Sequence, residues 1–309
     1  MAIFINPFVD RGFKILFGKE ESKILLIDLL NDLFEGEHII SDLSYLNVEM
    51  PAECPDSRAA VFDLKCRDQE GNFFIVEVQN ARQDHFYERG FYYLCRTVCA
   101  QDRKGDEWDF SLCPVYGIFF LNFKSGNTDK VRTDIVLADR ETGCQASGLM
   151  RQIFLEMPFF DKEEAECENG LDYWLYTLKY MEKLETLPFK GQKALFERLE
   201  KLAKIVNLNK KERDEYEECL KVYRDNKNVW DYALREGRQE GHEKGRQEGR
   251  EEGREEGREE GREEGREEGR QEGREEAIYQ IARNMRERGI DLASIIACTG
   301  LDAEAIVAL

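Results

Sequence analysis

Hydrophobic positions along the first 160 residues repeat with two different periods. Apolar side chains spaced three and four residues apart indicate helices, whereas alternating or continuous apolar runs indicate strands. Gly18 is a point where the first helix can break in two. In chain order the patterns predict a helix at 10–35, strands at 43–50, 58–67 and 73–80, a helix at 84–103, and strands at 113–123, 131–137 and 150–157. This mixture predicts an α/β domain.

From residue 170 onward the pattern is helical, with apolar stripes at 171–184, 192–206 and 210–224. Residues 237–276 then repeat a tetrapeptide of the form Gly-Arg-Glu-Glu. Each repeat advances a helix by about 400°, so every residue type drifts around it and the tract is polar on all faces. We interpret the tract as a solvated helical spacer, marginal in isolation because each Gly costs about 1 kcal/mol relative to Ala. A specific binding surface is the alternative.

Residues 277–309 regain apolar side chains at helical spacing. Gly289 suits the end of one helix, and Asp291 and Asp302 suit the starts of two more. These signals predict a small helical hairpin that resembles a helix-turn-helix. The predicted organisation is a domain at 1–160, a helical extension at 161–236, the repeat spacer at 237–276 and the hairpin at 277–309.

The chain has 309 residues and a formal net charge of −19. This charge argues against nucleic-acid binding through bulk electrostatics, so any DNA contact must use a local basic patch. No apolar run approaches the roughly 20 residues of a membrane span, and Met1 to Phe8 is too short and uncharged for a signal peptide. Nine cysteines and three histidines, without a CxxC motif, argue against a zinc site or a disulfide framework. We therefore expect a cytoplasmic protein that makes no membrane contact.

The strands at 58–67 and 73–80 admit a register in which Arg67 pairs with Phe73 and Asp63 lies opposite Glu77. One face of this hairpin is apolar, and the other carries Asp63, Lys65, Glu77 and Gln79. The apolar face consists of Phe62, Leu64, Cys66, Phe74, Val76 and Val78. A slip by one residue would bury charges, so we predict this register.

Carboxylates facing each other about 5 Å apart repel, so either one is protonated or a cation lies between them. Oxygen ligands without histidine or thiolate suit Mg²⁺ or Mn²⁺. The alternative is a pair of surface strand acids, one of them balanced by Lys65.

The helix at 84–103 favours the metal-site interpretation, because it presents a basic stripe and an opposing apolar stripe. Phosphodiester chemistry uses cations to hold phosphate and carboxylates to hold metal. The alternative is a solvated amphipathic helix. The basic stripe is His85, Arg89, Tyr92, Arg96 and Arg103, and the apolar stripe is Tyr87, Phe91, Leu94 and Val98.

Asp63, followed after thirteen residues by Glu77-Val78-Gln79 between hydrophobic strands, resembles the PD-(D/E)XK nuclease superfamily. More narrowly, the chain resembles the Rpn family of recombination-promoting nucleases, also described as PD-(D/E)XK nuclease family transposases. The tandem tract and the terminal hairpin resemble that family's C-terminal region. The other matching signatures are Asp10-Arg-Gly-Phe13-Lys14 with Phe17-Gly18, Glu88-Arg89-Gly90-Phe91-Tyr92-Tyr93, and Pro114-Val115-Tyr116.

The resemblance implies a core of helix, three strands, helix and strand, and a metal-dependent DNA endonuclease linked to recombination, mobile elements or defence against foreign DNA. It assigns Mg²⁺ (or Mn²⁺) to Asp63, Glu77 and the carbonyl of Val78, with Asp10 reaching the metal through water. Gln79 replaces the superfamily's usual lysine; it orients the attacking water or stabilises the transition state but cannot act as a base. The residues expected to contact DNA phosphate are Arg89, Tyr92, Arg96 and Lys14.

Two other classes of function compete with this one. A non-catalytic binding module could keep the nuclease fold, and the acidity of the nuclease-like region supports it. Alternatively, an oligomerisation protein could act through the helices and the repeat tract. We expect the last helix, at 302–309, not to read DNA, because it is acidic at its start and apolar afterwards. Its apolar side chains should pack within the hairpin, against another copy or against a protein partner.

Overall fold

A computed structural model describes residues 2–51, 59–83, 85–102 and 109–309. Helices and strands alternate up to about residue 160, and the chain is helical beyond it. The helices are α1 (Asp10–Phe17), α2 (Lys23–Phe34), α3 (Phe86–Cys99), α4 (Gly170–Tyr180), α5 (Leu195–Ala203), α6 (Lys210–Glu287), α7 (Leu292–Thr299) and α8 (Ala303–Val307). The strands are β1 (Leu43–Tyr45), β2 (Glu49–Met50), β3 (Ala60–Val61), β4 (Leu64–Asp68), β5 (Phe73–Gln79), β6 (Val115–Leu121), β7 (Arg132–Ala138) and β8 (Gln145–Glu156).

A mixed sheet with the strand order β1-β4-β5-β6-β8-β7 forms the centre of the fold. β5, β6 and β8 run parallel, and β1, β4 and β7 run antiparallel to their neighbours. The parallel connection from β5 to β6 passes through α3, as parallel neighbours require. Helices, then antiparallel strands, then a helix and a further strand follow one another as the sequence predicts, and the architecture is that of the PD-(D/E)XK fold.

Three predicted elements are divided in the structure, and one of them is the strand predicted at 58–67, which forms the separate strands β3 and β4. The helix predicted at 10–35 breaks at Gly18, whose N–H bonds the carbonyl of Lys14 and ends α1. The strand predicted at 43–50 is wrong as a single element, because the chain changes partner within it. β1 pairs with β4, whereas β2 pairs with the separate short strand β3.

The two faces of the sheet bury different helices. α1, α2, α4, α5 and the first turns of α6 cover one face, packed on side chains that include Phe74, Val76 and Val78 of β5. α3 covers the other face, where Phe86 and Leu94 meet Ile75 of β5. Because β5 is covered on both faces, any polar side chain near its carboxyl end is held in a largely apolar setting.

The predicted register of the hairpin is confirmed as far as it extends: Arg67 pairs with Phe73 and Leu64 pairs with Val76. Two details of the prediction are wrong. Phe62 packs on the α3 face with Ile75, because the chain leaves the ladder before Leu64 to pair β3 with β2. The face predicted to be polar is also buried, since α3 lies over it; Lys65 is 8% exposed there, beside Met50.

Contacts divide the chain into two units, Met1–Lys227 and Asn228–Leu309. In the second unit α6 continues without interruption through the repeat tract, whose residues are exposed. Gly289 then adopts a left-handed conformation (φ 74°), and Asp291 and Asp302 accept bonds from the N–H groups of Ser294 and Ala305. Gly289 thus ends a helix, and Asp291 and Asp302 each begin one, as the sequence predicts.

The terminal helices share a small apolar core. Ile306 of α8 is buried together with Ala282 of α6 and Ile295 of α7. Ile306 therefore packs within the hairpin, one of the arrangements expected for the last helix, whereas Val307 is exposed. Throughout the described ranges, no helix has both the length and the apolar composition that crossing a bilayer requires.

Candidate active site

Asp63 and Glu77 meet where the ladder between β4 and β5 ends. The N–H of Asp63 donates to Oε1 of Glu77 at 3.1 Å, and the N–H of Val78 donates to Oδ2 of Asp63 at 2.8 Å. The N–H of Phe62 instead bonds the carbonyl of Val48, so the backbone between β3 and β4 turns away from β5 at this point. The two carboxyl groups thus occupy a break in the sheet created by the change of strand partner.

Both carboxyl groups lie in a setting that penalises negative charge. Burial and, second to it, the neighbouring charge of Asp63 raise the pKa of Glu77 to about 8. Burial also raises the pKa of Asp63 to about 6, against the bond from the Val78 N–H, which lowers it. Two carboxylates that resist ionisation side by side are poised to share a proton or a cation.

Val78 and Gln79 complete the strand end. In a strand the N–H and carbonyl of one residue point to the same neighbour. Because the Val78 N–H faces Asp63, the Val78 carbonyl faces the same gap. The side-chain amide of Gln79 lies 3.5 Å from Oε2 of Glu77, at the outer limit of a hydrogen bond. The structure therefore brings together the four strand features predicted from the sequence.

The first turn of α1 brings a charged pair to Asp63. Lys14 Nζ lies 2.7 Å from Oδ1 of Asp10, one helical turn away. The Asp10 charge raises the pKa of Asp63 and the Lys14 charge lowers it, so both act on the same carboxyl group. The segment is anchored by Asn80, whose side-chain amide bonds the carbonyl of Phe8.

α3 approaches the sheet closely through Gly90. A Cβ at this position would lie 2.9 Å from the Phe119 ring, so a larger residue would push the helix outward. The close approach carries Arg89 to the Glu77 carboxyl, whose pKa its charge lowers. The Arg89 guanidinium also bonds the side chain of Gln83 and lies 4.9 Å from the Phe86 ring centroid.

The buried side of α3 is rotated relative to the prediction. Phe91 was predicted to be inside and is 45% exposed, and Arg96 was predicted outside and is 8% exposed. Arg96 donates to the carbonyl of Pro51 at 2.8 Å and to the Tyr92 hydroxyl at 3.3 Å. Tyr92 is exposed, as a phosphate contact requires. Arg103 lies outside the described residues.

A profile of the PD-(D/E)XK nuclease family transposases matches residues 7–233, which include every candidate site residue. The chain belongs to this family. No curated protein and no solved structure matches it. The residues that match this PD-(D/E)XK family comprise the whole sheet, helices α1 to α5 and the first part of α6.

Sequence reasoning missed a second group of metal-type side chains on this PD-(D/E)XK chain. Within the described ranges, ligand atoms of His38, Asp68 and Glu70 lie within 4.8 Å of one another, whereas Asp10, Asp63 and Glu77 form no such compact triad. His38 precedes β1 and reaches the β4–β5 turn only in the fold, so its spacing in the sequence gives no signal.

The carboxylate of Asp68 already has its hydrogen-bonding capacity filled. It accepts from the N–H groups of Glu70 (2.9 Å) and Asn72 (2.8 Å), from the Asn72 side-chain amide (2.9 Å) and from His38 (2.6 Å). Bonds from Asn72 and His38 lower the pKa of Asp68 against the effect of its burial. These contacts identify the group as a hydrogen-bonded hairpin turn.

The Asp63–Glu77 pair fits a divalent cation better. Glu77 is buried and Asp63 is partly buried, the two carboxyl groups repel, and the Val78 carbonyl offers a third hard oxygen at the same gap. Hard oxygen donors suit Mg²⁺, which also keeps several of its waters. A bound dication would offset both the repulsion and the cost of burial.

Proposed function

We propose that this PD-(D/E)XK family member is a metal-dependent DNA endonuclease. The observation that carries the proposal is the pair of buried carboxyl groups at the break in the β4–β5 ladder, with Arg89 beside Glu77. Because relatives are classed as transposases, we place the cleavage in recombination, in the movement of mobile elements or in defence against foreign DNA. The narrower assignment within the family is to the Rpn nucleases.

Asp63, Glu77 and the Val78 carbonyl hold Mg²⁺ or Mn²⁺ in this proposal. Such an ion, when bound there, would supply Lewis-acid activation of a phosphoryl oxygen and of water. Asp10, paired with Lys14 beside Asp63, reaches the ion through water. The N–H of Val78 bonds Oδ2 of Asp63 and so fixes the orientation of that carboxyl group.

Gln79 takes the place of the superfamily's lysine. Its amide is neutral and cannot remove a proton, but it can donate to the developing negative charge and accept from the attacking water. The contact between Gln79 and Glu77 keeps the amide beside the carboxyl pair. We therefore assign Gln79 to orienting the water.

Phosphate contacts come from three side chains in this proposal. Arg89 and Tyr92 lie on α3, and Lys14 lies on α1, which packs on the other face of the sheet. Arg96 has a different part, because its guanidinium is buried and donates to the Tyr92 hydroxyl. We assign Arg96 to positioning Tyr92.

The test is conversion of supercoiled plasmid to nicked and linear forms with Mg²⁺ or with chelator. Wild-type protein should cleave only with Mg²⁺, and Asp63→Ala should not cleave. Glu70→Ala is the matched control, since Glu70 is an exposed carboxylate of the His38 group and should leave cleavage unchanged. Equal cleavage by Asp63→Ala and wild type would refute the assignment.

A second role, self-association or binding of a protein partner, is favoured by the apolar side chains that residues 277–309 leave exposed. Tyr279, Ile281, Ile290, Leu292 and Val307 are between 39% and 64% exposed. Comparing the solution mass of the full chain with that of a 1–236 truncation tests self-association. A full-length monomer that retains no partner would remove this role.

A further inference from the structure

A cavity of about 210 Å³ opens beyond the carboxyl ends of β5 and β6. The segment after β5 contributes Arg82, Gln83 and the first turn of α3, and the segment after β6 contributes Phe123, Ser125 and Asn127. In open sheets with parallel strands, ligands bind at this edge. The proposed function uses none of these side chains.

Polar groups form most of the cavity's accessible lining, and two aromatic rings stand among them. The Phe86 and Phe123 rings stand edge to face, 6.4 Å apart. Arg82 and Gln83 are exposed at the opening, and their side chains can donate and accept hydrogen bonds. Ser125 is 7% exposed and fixed at the floor. Hydrogen-bonding side chains beside the half-buried Phe123 ring match the polar edge and the flat face of a heteroaromatic ring.

Although Arg82 and His85 line the cavity, two acidic side chains argue against a free phosphate as its occupant. The fully buried carboxyl group of Glu156 accepts from the N–H and the hydroxyl of Ser125, at 2.8 and 2.6 Å. Glu88 adds a second acid to the lining. Neither acid repels a neutral nucleobase.

Gln83 connects the cavity to the carboxyl pair. Its side-chain oxygen accepts from the Arg89 guanidinium, and the charge of Arg89 acts on Glu77. Arg89 therefore lies between an occupant of the cavity and the carboxyl pair.

We propose that this cavity receives an unpaired DNA base next to the phosphate that is cut, an inference that rests on the proposed nuclease function. The volume lies below the roughly 300–1,000 Å³ of pockets for drug-sized ligands, which suits a single base. A paired base cannot enter without leaving its partner, and unpairing costs least at bulges and in single strands. The substrate class is thus DNA with an unpaired base.

The test uses full-length Glu77→Gln protein with Mg²⁺, because this variant should bind DNA without cutting it. The probes are a labelled duplex carrying 2-aminopurine in a one-nucleotide bulge and the same duplex fully paired. Base stacking on aromatic side chains predicts roughly tenfold tighter binding of the bulged duplex and a change in 2-aminopurine fluorescence. Added Arg82→Ala or Phe123→Ala should remove most of this preference.

Arg140→Ala is the matched control, an exposed arginine in the β7–β8 turn that should keep the preference. Arg82→Ala covers the case in which Phe123→Ala fails to fold, since Arg82 is exposed. Equal affinity for both duplexes would overturn the base pocket, as would Arg82→Ala weakening both equally, which identifies a phosphate contact. Plasmid cleavage by wild type, measured separately, shows whether the nuclease function stands when the pocket fails.

Discussion

Replacing Glu77 by Gln should stabilise the metal-free protein at neutral and alkaline pH. Glu77 is 3% exposed, and burial together with Asp63 raises its pKa to about 8. Gln keeps the shape of the side chain and removes the charge. The variant would then lose its function and become more stable, because a buried carboxylate costs free energy that a neutral amide does not.

The size of the effect follows from the two pKa values. The unfolded chain has the ordinary value of 4.5, and the folded chain holds the proton until about pH 8. From pH 4.5 to pH 7, about 2.5 pH units, each unit lowers the free energy of unfolding by about 1.4 kcal/mol. At pH 7 the ionisable Glu77 therefore costs the folded protein at most about 3 kcal/mol. The N–H donors of the Gln amide need hydrogen-bond acceptors, which the Glu carboxylate does not, and this offsets part of the gain. We therefore expect the free energy of unfolding to rise by about 1–3 kcal/mol.

The pH dependence has a definite sign. The folded state binds more protons than the unfolded state between pH 4.5 and about 8, so the wild type loses stability as the pH rises through this window. The advantage of Glu77→Gln should therefore be absent at pH 4 and complete at pH 8. Thermal unfolding in chelator, followed by circular dichroism, should show a midpoint raised by roughly 2–4 °C per kcal/mol.

Glu141→Gln is the control, because Glu141 is exposed in the β7–β8 turn and should show no such trend. Mg²⁺ should raise the midpoint of wild type and leave Glu77→Gln unchanged. If Glu77→Gln were equal to or less stable than wild type at pH 8, the carboxyl pair would not be strained by its burial, and the reasoning would fail.

Four further results are expected. Arg89→Ala should weaken DNA binding and reduce the log–log salt slope by roughly one. Arg96→Ala should leave that slope unchanged in a folded protein but lower the thermal midpoint, because it removes a buried bond to Pro51. Asp68→Asn should destabilise the hairpin turn by about 1–3 kcal/mol, measured by denaturation, while plasmid cleavage keeps its Mg²⁺ dependence. Deleting 277–309 should leave the cleavage rate per site unchanged and alter assembly, measured by solution mass.

The register of the central hairpin is predictable from sequence because one face carries alternating apolar side chains. That periodicity fixes Leu64 opposite Val76 and so brings Asp63 to Glu77. The caps at Asp291 and Asp302 are equally local, since each depends on a side chain and an N–H three residues later. Local chemistry of this kind leaves a direct signal in the chain.

Other features depend on packing between distant segments. Phe62 faces α3 because the chain exchanges β3–β2 pairing for β4–β5 pairing, a change that no periodicity marks. The rotation that exposes Phe91 and buries Arg96 depends on the fit of Gly90 against β6. The contact between His38 and Asp68 joins residues thirty positions apart. Each requires the assembled sheet.

The central claim is that Asp63 and Glu77 together hold the divalent cation of this family member. Mn²⁺ binding, followed by the loss of the free-ion signal in electron paramagnetic resonance, tests it directly. The account predicts binding by wild type and by Asp68→Asn, and its loss in Asp63→Asn and Glu77→Gln. Retained binding in Asp63→Asn together with lost binding in Asp68→Asn would move the metal to the His38 group and contradict the claim.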